Sequence, residues 1–369
     1  QLGQLGFGID NADNDANTPS VTDNNLSAIQ KALADKGVGT DYDTVDSLSD
    51  VQTIVHAAVN ALDAIEAAAA NGTDSAAFAV GTAFTDAGIE GVDASNISLI
   101  NSIFNTAAVD AADANTLEKV QSLVDVADKV VSLAGNAAAP KLTAADLAKI
   151  GILVTRDAEL SLVNDLLIDD STAQTSVADI QAFVTAVVSI LDDAAQAVDG
   201  TLNSTASDLA ALGFDISTGT LVDSGAALPN ITTENLPVIR QAIAATADDL
   251  SGVNRLSKLK ILVAETAKAA NSIQAYGAED VITAAPVPTA ADYAAIGVTG
   301  VTDLNVSGIN SSLARAGVLD SVSSNLASEV QLVVDAWEKV ESLADRQIDT
   351  VTVSENLVNQ VPTGASISV

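Results

Sequence analysis

The chain has 369 residues, with 49 acidic against 15 basic side chains and a formal net charge of −34, a length that accommodates two or three ordinary domains or one long repeat array. Cys and Met are absent and there is one His, which excludes thiol nucleophiles, disulfides, Fe–S clusters, zinc–thiolate sites and Cys/His catalytic pairs. Nucleic acid is not an expected partner, because the charge repels phosphate and no basic patch offsets it. Membrane insertion is not expected either, since no uncharged apolar run reaches the roughly 18–20 residues of a span.

In chain order, the first unit (residues 1–72) opens on Leu2 to Phe7, LGQLGF, a pattern apolar-x-x-apolar-Gly-apolar. Gly6 stands where a helix of one or two turns would stop, since glycine takes the left-handed conformation without steric cost. The loop Gly8 to Pro19 places Asp10, Asp13, Asp15 and Asn17 at the alternating spacing by which oxygen ligands converge on Ca²⁺. These four residues are the candidate metal site, and Ca²⁺ is the candidate cofactor. Read as an EF-hand from Asp13, the loop has Thr18 in place of the turn glycine and Asn24 in place of the closing Glu. A solvated turn rich in Asp and Asn is the competing reading. A middle helix is predicted from Asn25-Leu26-x-x-Ile29 with Leu33, and a long helix from Leu48, Val51, Val55, Ala58, Leu62 and Ile65. The long-helix positions step by three and four and so form one stripe.

The same three elements recur in units 73–139, 140–204, 205–285 and 286–349. The short elements are FTDAGI, LAKIGI, LAALGF and YAAIGV, with Gly88, Gly151, Gly213 and Gly297 at the stop. Thr143, Thr205 and Thr289, each followed three residues later by Asp146, Asp208 or Asp292, read as N-caps. The middle elements begin at Asn96, Glu159, Asn235 and Asn305. Thr22, Asp93, Thr232 and Thr302 lie three residues before the four Asn positions, which reads as a cap with Asn at the third helical position. A buried Asn ladder between stacked units is the alternative. The long elements carry Gln121, Gln181, Lys260 and Gln331 at the position of Gln52. No unit can bury its stripe alone, so neighbouring units must stack. The first and fourth units carry extra residues between the short and middle helices. Such insertions collect on exposed loops, and the loop 215–232 shows no site.

Catalytic signals are weak. His56 occupies a polar slot held elsewhere by Asp125, Thr185, Ala264 and Asp335, which predicts a surface His. The pairs Asp169-Asp170, Asp192-Asp193 and Asp248-Asp249 could serve acid–base work in a secreted hydrolase, but they are expected near helix ends without apolar surroundings. Trp337 fills a stripe slot where the other units have Ala58, Ala127, Val187 and Thr266. It fits either a terminal unit covering its own end or a contact between subunits. After Asp349, Val351 and Val353 alternate with Thr, and Ile367 and Val369 with Ser. That is strand spacing in a tail, 350–369, with no strand partner in its own units. Trp337, Val351, Val353, Ile367 and Val369 are therefore the candidate assembly residues, acting in self-association into a filament or layer; the tail could equally be a linker.

The expected fold is all-α: an elongated array of about five three-helix repeats with a short β-like C-terminal tail, a single compact helical bundle being the runner-up. The chain starts at Gln1, contains no Met and shows no signal peptide, which reads as a processed form or an excerpt. A long acidic chain without Cys fits an extracellular location. TAADLAKIGI, TAADYAAIGVTGV and LEKVQSLVDVADKVVSLA resemble the helical repeats of very large secreted bacterial surface proteins, adhesin-like and biofilm-matrix proteins exported by type I secretion among them. The resemblance runs to about residue 349 and implies a non-enzymatic extracellular role as stalk, matrix fibre or surface-layer subunit. It carries over no catalytic residue. A calcium-dependent adhesive module is the alternative, and no motif specifies a surface glycan or protein ligand.

Overall fold

Apolar residues at helical spacing, separated by Thr–Asp caps and stop glycines, fold here as helices. The computed structural model describes residues 2–5, 7, 20–37, 45–70, 82–195, 202–214, 231–232, 235–246, 249–278, 287–314 and 326–349. Among the described residues the protein is all-α, mostly helical with almost no strand. Its helices are α1 (Leu26–Gly37), α2 (Leu48–Ala70), α3 (Thr82–Asp86), α4 (Ile97–Phe104), α5 (Leu117–Leu133), α6 (Ala144–Lys149) and α7 (Asp157–Asp169). They continue with α8 (Val177–Ala194), α9 (Ala206–Ala211), α10 (Leu236–Ala244), α11 (Leu256–Ala278), α12 (Ala290–Ala295), α13 (Val306–Leu313) and α14 (Leu326–Asp349). Leu2–Leu5 and Ala111–Asp113 form 3-10 turns. The long helix α2 runs on to Ala70 because Ala67 to Ala70 favour helix and present nothing that would cap it earlier.

The short helices start and stop as their sequences dictate. In α6 the Thr143 hydroxyl accepts from the Asp146 N–H at 3.1 Å, and the Asp146 carboxylate accepts from the Thr143 N–H at 3.0 Å. Thr205 with Asp208 and Thr289 with Asp292 repeat this reciprocal cap in α9 and α12. At the other end of α6, the Ile152 N–H reaches Leu147 O and the Gly151 N–H reaches Ala148 O. That pair of bonds requires a left-handed residue at the stop, and Gly151 has φ +81. Gly88, Gly213 and Gly297 lie within three degrees of it, at φ 78, 83 and 79. A Cβ on Gly151 would also collide with the Cβ of Ala108, so both backbone and packing exclude a side chain.

The chain groups into two compact units. One comprises Gln1–Asp192, Asn203–Gly213 and Asp249–Lys258, the other Asp193–Leu202, Phe214–Asp248 and Leu259–Val369. In the first, α1 packs on α2 around Ile29, Val55, Ala58 and Val59. The helix α2 packs on α3, and α5 packs on α1, α4, α6 and α7. Phe84 and Phe104 pair as tilted rings 6.2 Å apart. In the second unit, Val238, Ala270, Ile273, Tyr293, Ile309, Leu313 and Val334 form one core. Small residues such as Ala58, Ala127 and Ala270 are fully buried. They let helices approach closely, which is how a chain with 3% aromatic residues fills its interior.

Candidate functional site

The loop holding Asp10, Asp13, Asp15 and Asn17 lies outside the described residues, as do Val351, Val353, Ile367 and Val369. Among the described residues no group of three or more His, Asp or Glu side chains could hold a metal ion. His56 is half-buried on α2. One expectation about the acid pairs is overturned. Asp193 is fully buried near the end of α8, with its carboxylate 3.8 Å from the Arg240 guanidinium. The adjacent pair splits because neighbouring helix positions point about 100° apart: Asp192 instead faces the Arg156 guanidinium at 2.7 Å. Asp63 and Glu66, one turn apart on α2, are pushed above their ordinary values. Burial does this at both, and the Asp63 charge adds to it at Glu66.

What the structure builds repeatedly is a set of polar clamps. Asn25, Asn96, Asn235 and Asn305 are all buried. Their side-chain oxygens accept from the N–H three residues back, at 2.9, 3.0, 2.8 and 2.7 Å. This is one half of the expected cap, but Asn96, Asn235 and Asn305 stand just before their helices instead of at the third helical position and make no cap bond to the first turn. Glu159, which does sit at the third position of α7, accepts likewise from the Arg156 N–H at 3.1 Å. The amide nitrogens do a second job. Asn25, Asn96 and Asn305 donate to the carbonyls of Ser20, Gly91 and Gly300, and Asn96 and Asn235 reach Asp128 and Asn271 on the long helices. Each cap therefore also ties a loop, or the following long helix, to the start of a middle helix.

The recurrent Gln has a role that its position in the stripe did not disclose. Gln121 accepts from the Glu90 N–H at 2.9 Å and donates to the Glu90 carbonyl at 3.0 Å. Gln331 does the same to Thr299 at 2.9 and 3.2 Å. Glu90 and Thr299 each lie two residues past a stop glycine, so the amide holds the loop backbone as a neighbouring strand would. Gln181 instead faces Thr185. Asn164 makes a comparable pair of bonds to Leu142, and Asn310 links Pro288 O to the Tyr293 hydroxyl. Burial pushes the Tyr293 phenol up, with Tyr276 and Asp292 adding to it.

Trp337 is half-buried and lies on Gly308 of α13, and its indole Nε1 donates to Glu341 at 2.9 Å. The middle-helix slot of Gly308 is held by Ala28, Leu99, Leu162 and Val238 in the other copies. A large residue in the long helix thus faces the smallest one in the middle helix.

Two buried carboxylates link this framework to pH. Burial would raise Glu159, but the Thr155 and Arg156 N–H groups and the Arg156 guanidinium outweigh it and hold the carboxyl below its ordinary value. Burial likewise opposes, and the Thr143 N–H and Lys129 ammonium override, at Asp146. A carboxyl lowered by folding stabilises the protein above its unfolded value of about 4 and loses that contribution as the pH falls from there through its lower folded value. Glu159→Gln should cost about 1.5–3 kcal/mol at pH 7. It should also flatten the loss of stability between pH 5 and pH 3 relative to the parent, as read by urea melts across that range.

No known protein family, curated protein or solved structure matches the chain.

Proposed function

We propose that the protein is a non-enzymatic structural component of a bacterial extracellular surface, built as about five stacked three-helix units in an elongated array. Its place would be a filament, matrix fibre, surface layer or adhesin stalk. The observation that carries this reading is the recurrence of one set of caps and clamps at equivalent residues. The buried Asn25, Asn96, Asn235 and Asn305 clamps, the Thr–Asp caps of α6, α9 and α12, and the more exposed Gln121 and Gln331 clamps all spend polar groups on fixing loops and helix starts. A chain that spends its recurrent polar side chains on framework geometry is suited to transmitting position along its length, which is what a stalk or fibre requires. The absence of Cys and the charge of −34 support an extracellular setting and a well-solvated surface. Self-association into a filament or layer, by the same kind of face that units stack on, is part of this proposal. Antibody labelling of intact cells that produce the protein, with electron micrographs of the native material, tests the role. Surface label on fibres, layers or stalks is expected; label confined to the cell interior would contradict it.

A further inference from the structure

Three of the long helices begin on a hydroxyl of their own. Ser47, Thr116 and Ser176 stand just before α2, α5 and α8, and their oxygens accept from the N–H groups of Asp50, Lys119 and Asp179 at 3.2, 3.3 and 3.2 Å. The equivalent residue before α11 is Arg255, and a guanidinium has donors only. The Lys258 N–H, counterpart of those three, turns to the Arg255 carbonyl at 3.1 Å. The first N–H of α11, on Leu256, goes to a carboxylate oxygen of Asp165 on α7 at 3.2 Å. The Arg255 guanidinium meets the same oxygen at 2.9 Å.

The preceding junction shows what has changed. Ser102 of α4 lies six residues past Asn96, as Asp165 lies six past Glu159. The Ser102 hydroxyl accepts from the Val177 N–H, the first of α8, at 2.9 Å. There the bond from the earlier unit supplements a cap that α8 already has in Ser176. At the next junction both members are exchanged together: Asp165 stands where Ser102 did, and Arg255 where Ser176 did. The local hydroxyl is gone, and a carboxylate, the stronger acceptor, stands in the earlier unit. Its side chain is 11% exposed, so water competes little for it.

We propose that Asp165 is a helix cap supplied by the preceding unit, so that the first turn of α11 is held only when α7 is in place. Arg255 keeps the carboxylate at the helix start and offers α11 no acceptor in its stead. Folding is therefore directional at this junction: the third unit conditions the start of the long helix of the fourth. Asp165, Arg255 and the first residues of α11 up to Lys258 group with the first compact unit, and α11 from Leu259 onward groups with the second. The device does not depend on the surface role proposed above.

Hydrogen exchange of the full chain, read by mass spectrometry on peptides from the starts of α8 and α11, tests this. Asp165→Ala should speed exchange at the start of α11 about tenfold, the size of an ordinary N-cap effect. Ser102→Ala should speed the start of α8 by less than about threefold, because Ser176 remains. Asp165→Asn keeps an acceptor oxygen without the charge and should stay within about threefold of the wild type. Arg255→Ser gives α11 a hydroxyl of its own, and in that background Asp165→Ala should have less than about a threefold effect. Circular dichroism checks that each variant keeps its helix content. If Asp165→Ala alone fails to fold, its rescue by Arg255→Ser reads the same dependence. An Asp165→Ala variant that exchanges like the wild type at the start of α11 would overturn the proposal. So would an Asp165→Asn variant as damaged as Asp165→Ala, which would make the ion pair the active element. An Asp165→Ala effect undiminished by Arg255→Ser would overturn it as well.

Discussion

Asn96→Asp should destabilise the fold by about 3–5 kcal/mol at neutral pH, the range expected when a buried charge is left uncompensated. Asn96 is 0% exposed. Its oxygen accepts from the Asp93 N–H at 3.0 Å, and its amide nitrogen donates at 2.6 Å both to the Gly91 carbonyl and to the Asp128 carboxylate. A carboxylate keeps the first bond and turns the other two into repulsions between oxygens. The introduced carboxyl must take up a proton to remain folded, so its pKa rises on folding. A group of that kind stabilises at low pH and costs more as the pH climbs through its folded value. The gap from wild type should therefore be smaller at pH 4 than at pH 7. Asn96→Ala removes the donor without adding charge and should cost less, about 2–3 kcal/mol, with no such pH dependence. Urea denaturation of the three proteins at both pH values checks this; an Asn96→Asp variant as stable as wild type at pH 7 would show that the clamp carries little.

The second expected result is a change of sign. Gly308→Ala in the wild type should destabilise by about 1–3 kcal/mol, because the new methyl enters space occupied by the Trp337 indole. In a Trp337→Ala background the same substitution should stabilise by up to about 1 kcal/mol, the ordinary gain of Ala over Gly inside a helix. Trp337→Ala alone should cost about 1–2 kcal/mol, since the indole is only half-buried. A double-mutant cycle read by thermal melts measures the coupling directly. Additive effects would mean that the indole and Gly308 do not share the space.

The parts of this fold that were legible in the sequence are those fixed within a few residues. The stop glycines, the Thr–Asp caps and the stripes of the long helices are local rules of turn geometry and helical period. The structure shows them at Gly151, at Thr143 with Asp146, and along α5. What escaped depends on partners far along the chain. Gln121 was visible as a recurrent polar residue, but its partner is the backbone of Glu90, which carries no side-chain signature. Asp193 was read as half of a pair without apolar surroundings because its counter-charge, Arg240, lies on another helix. Trp337 stood out in a slot of small residues, yet its meaning required noticing that Gly308 is small in a slot of larger ones.

Small-angle scattering of the protein, at a concentration where sedimentation shows a monomer, tests the central claim most directly. A single compact globule of this length has a radius of gyration of about 21 Å. Stacked units predict a value clearly above that and a distance distribution with a long tail. A radius near 21 Å with a symmetric distribution would contradict the array and, with it, the structural role proposed here.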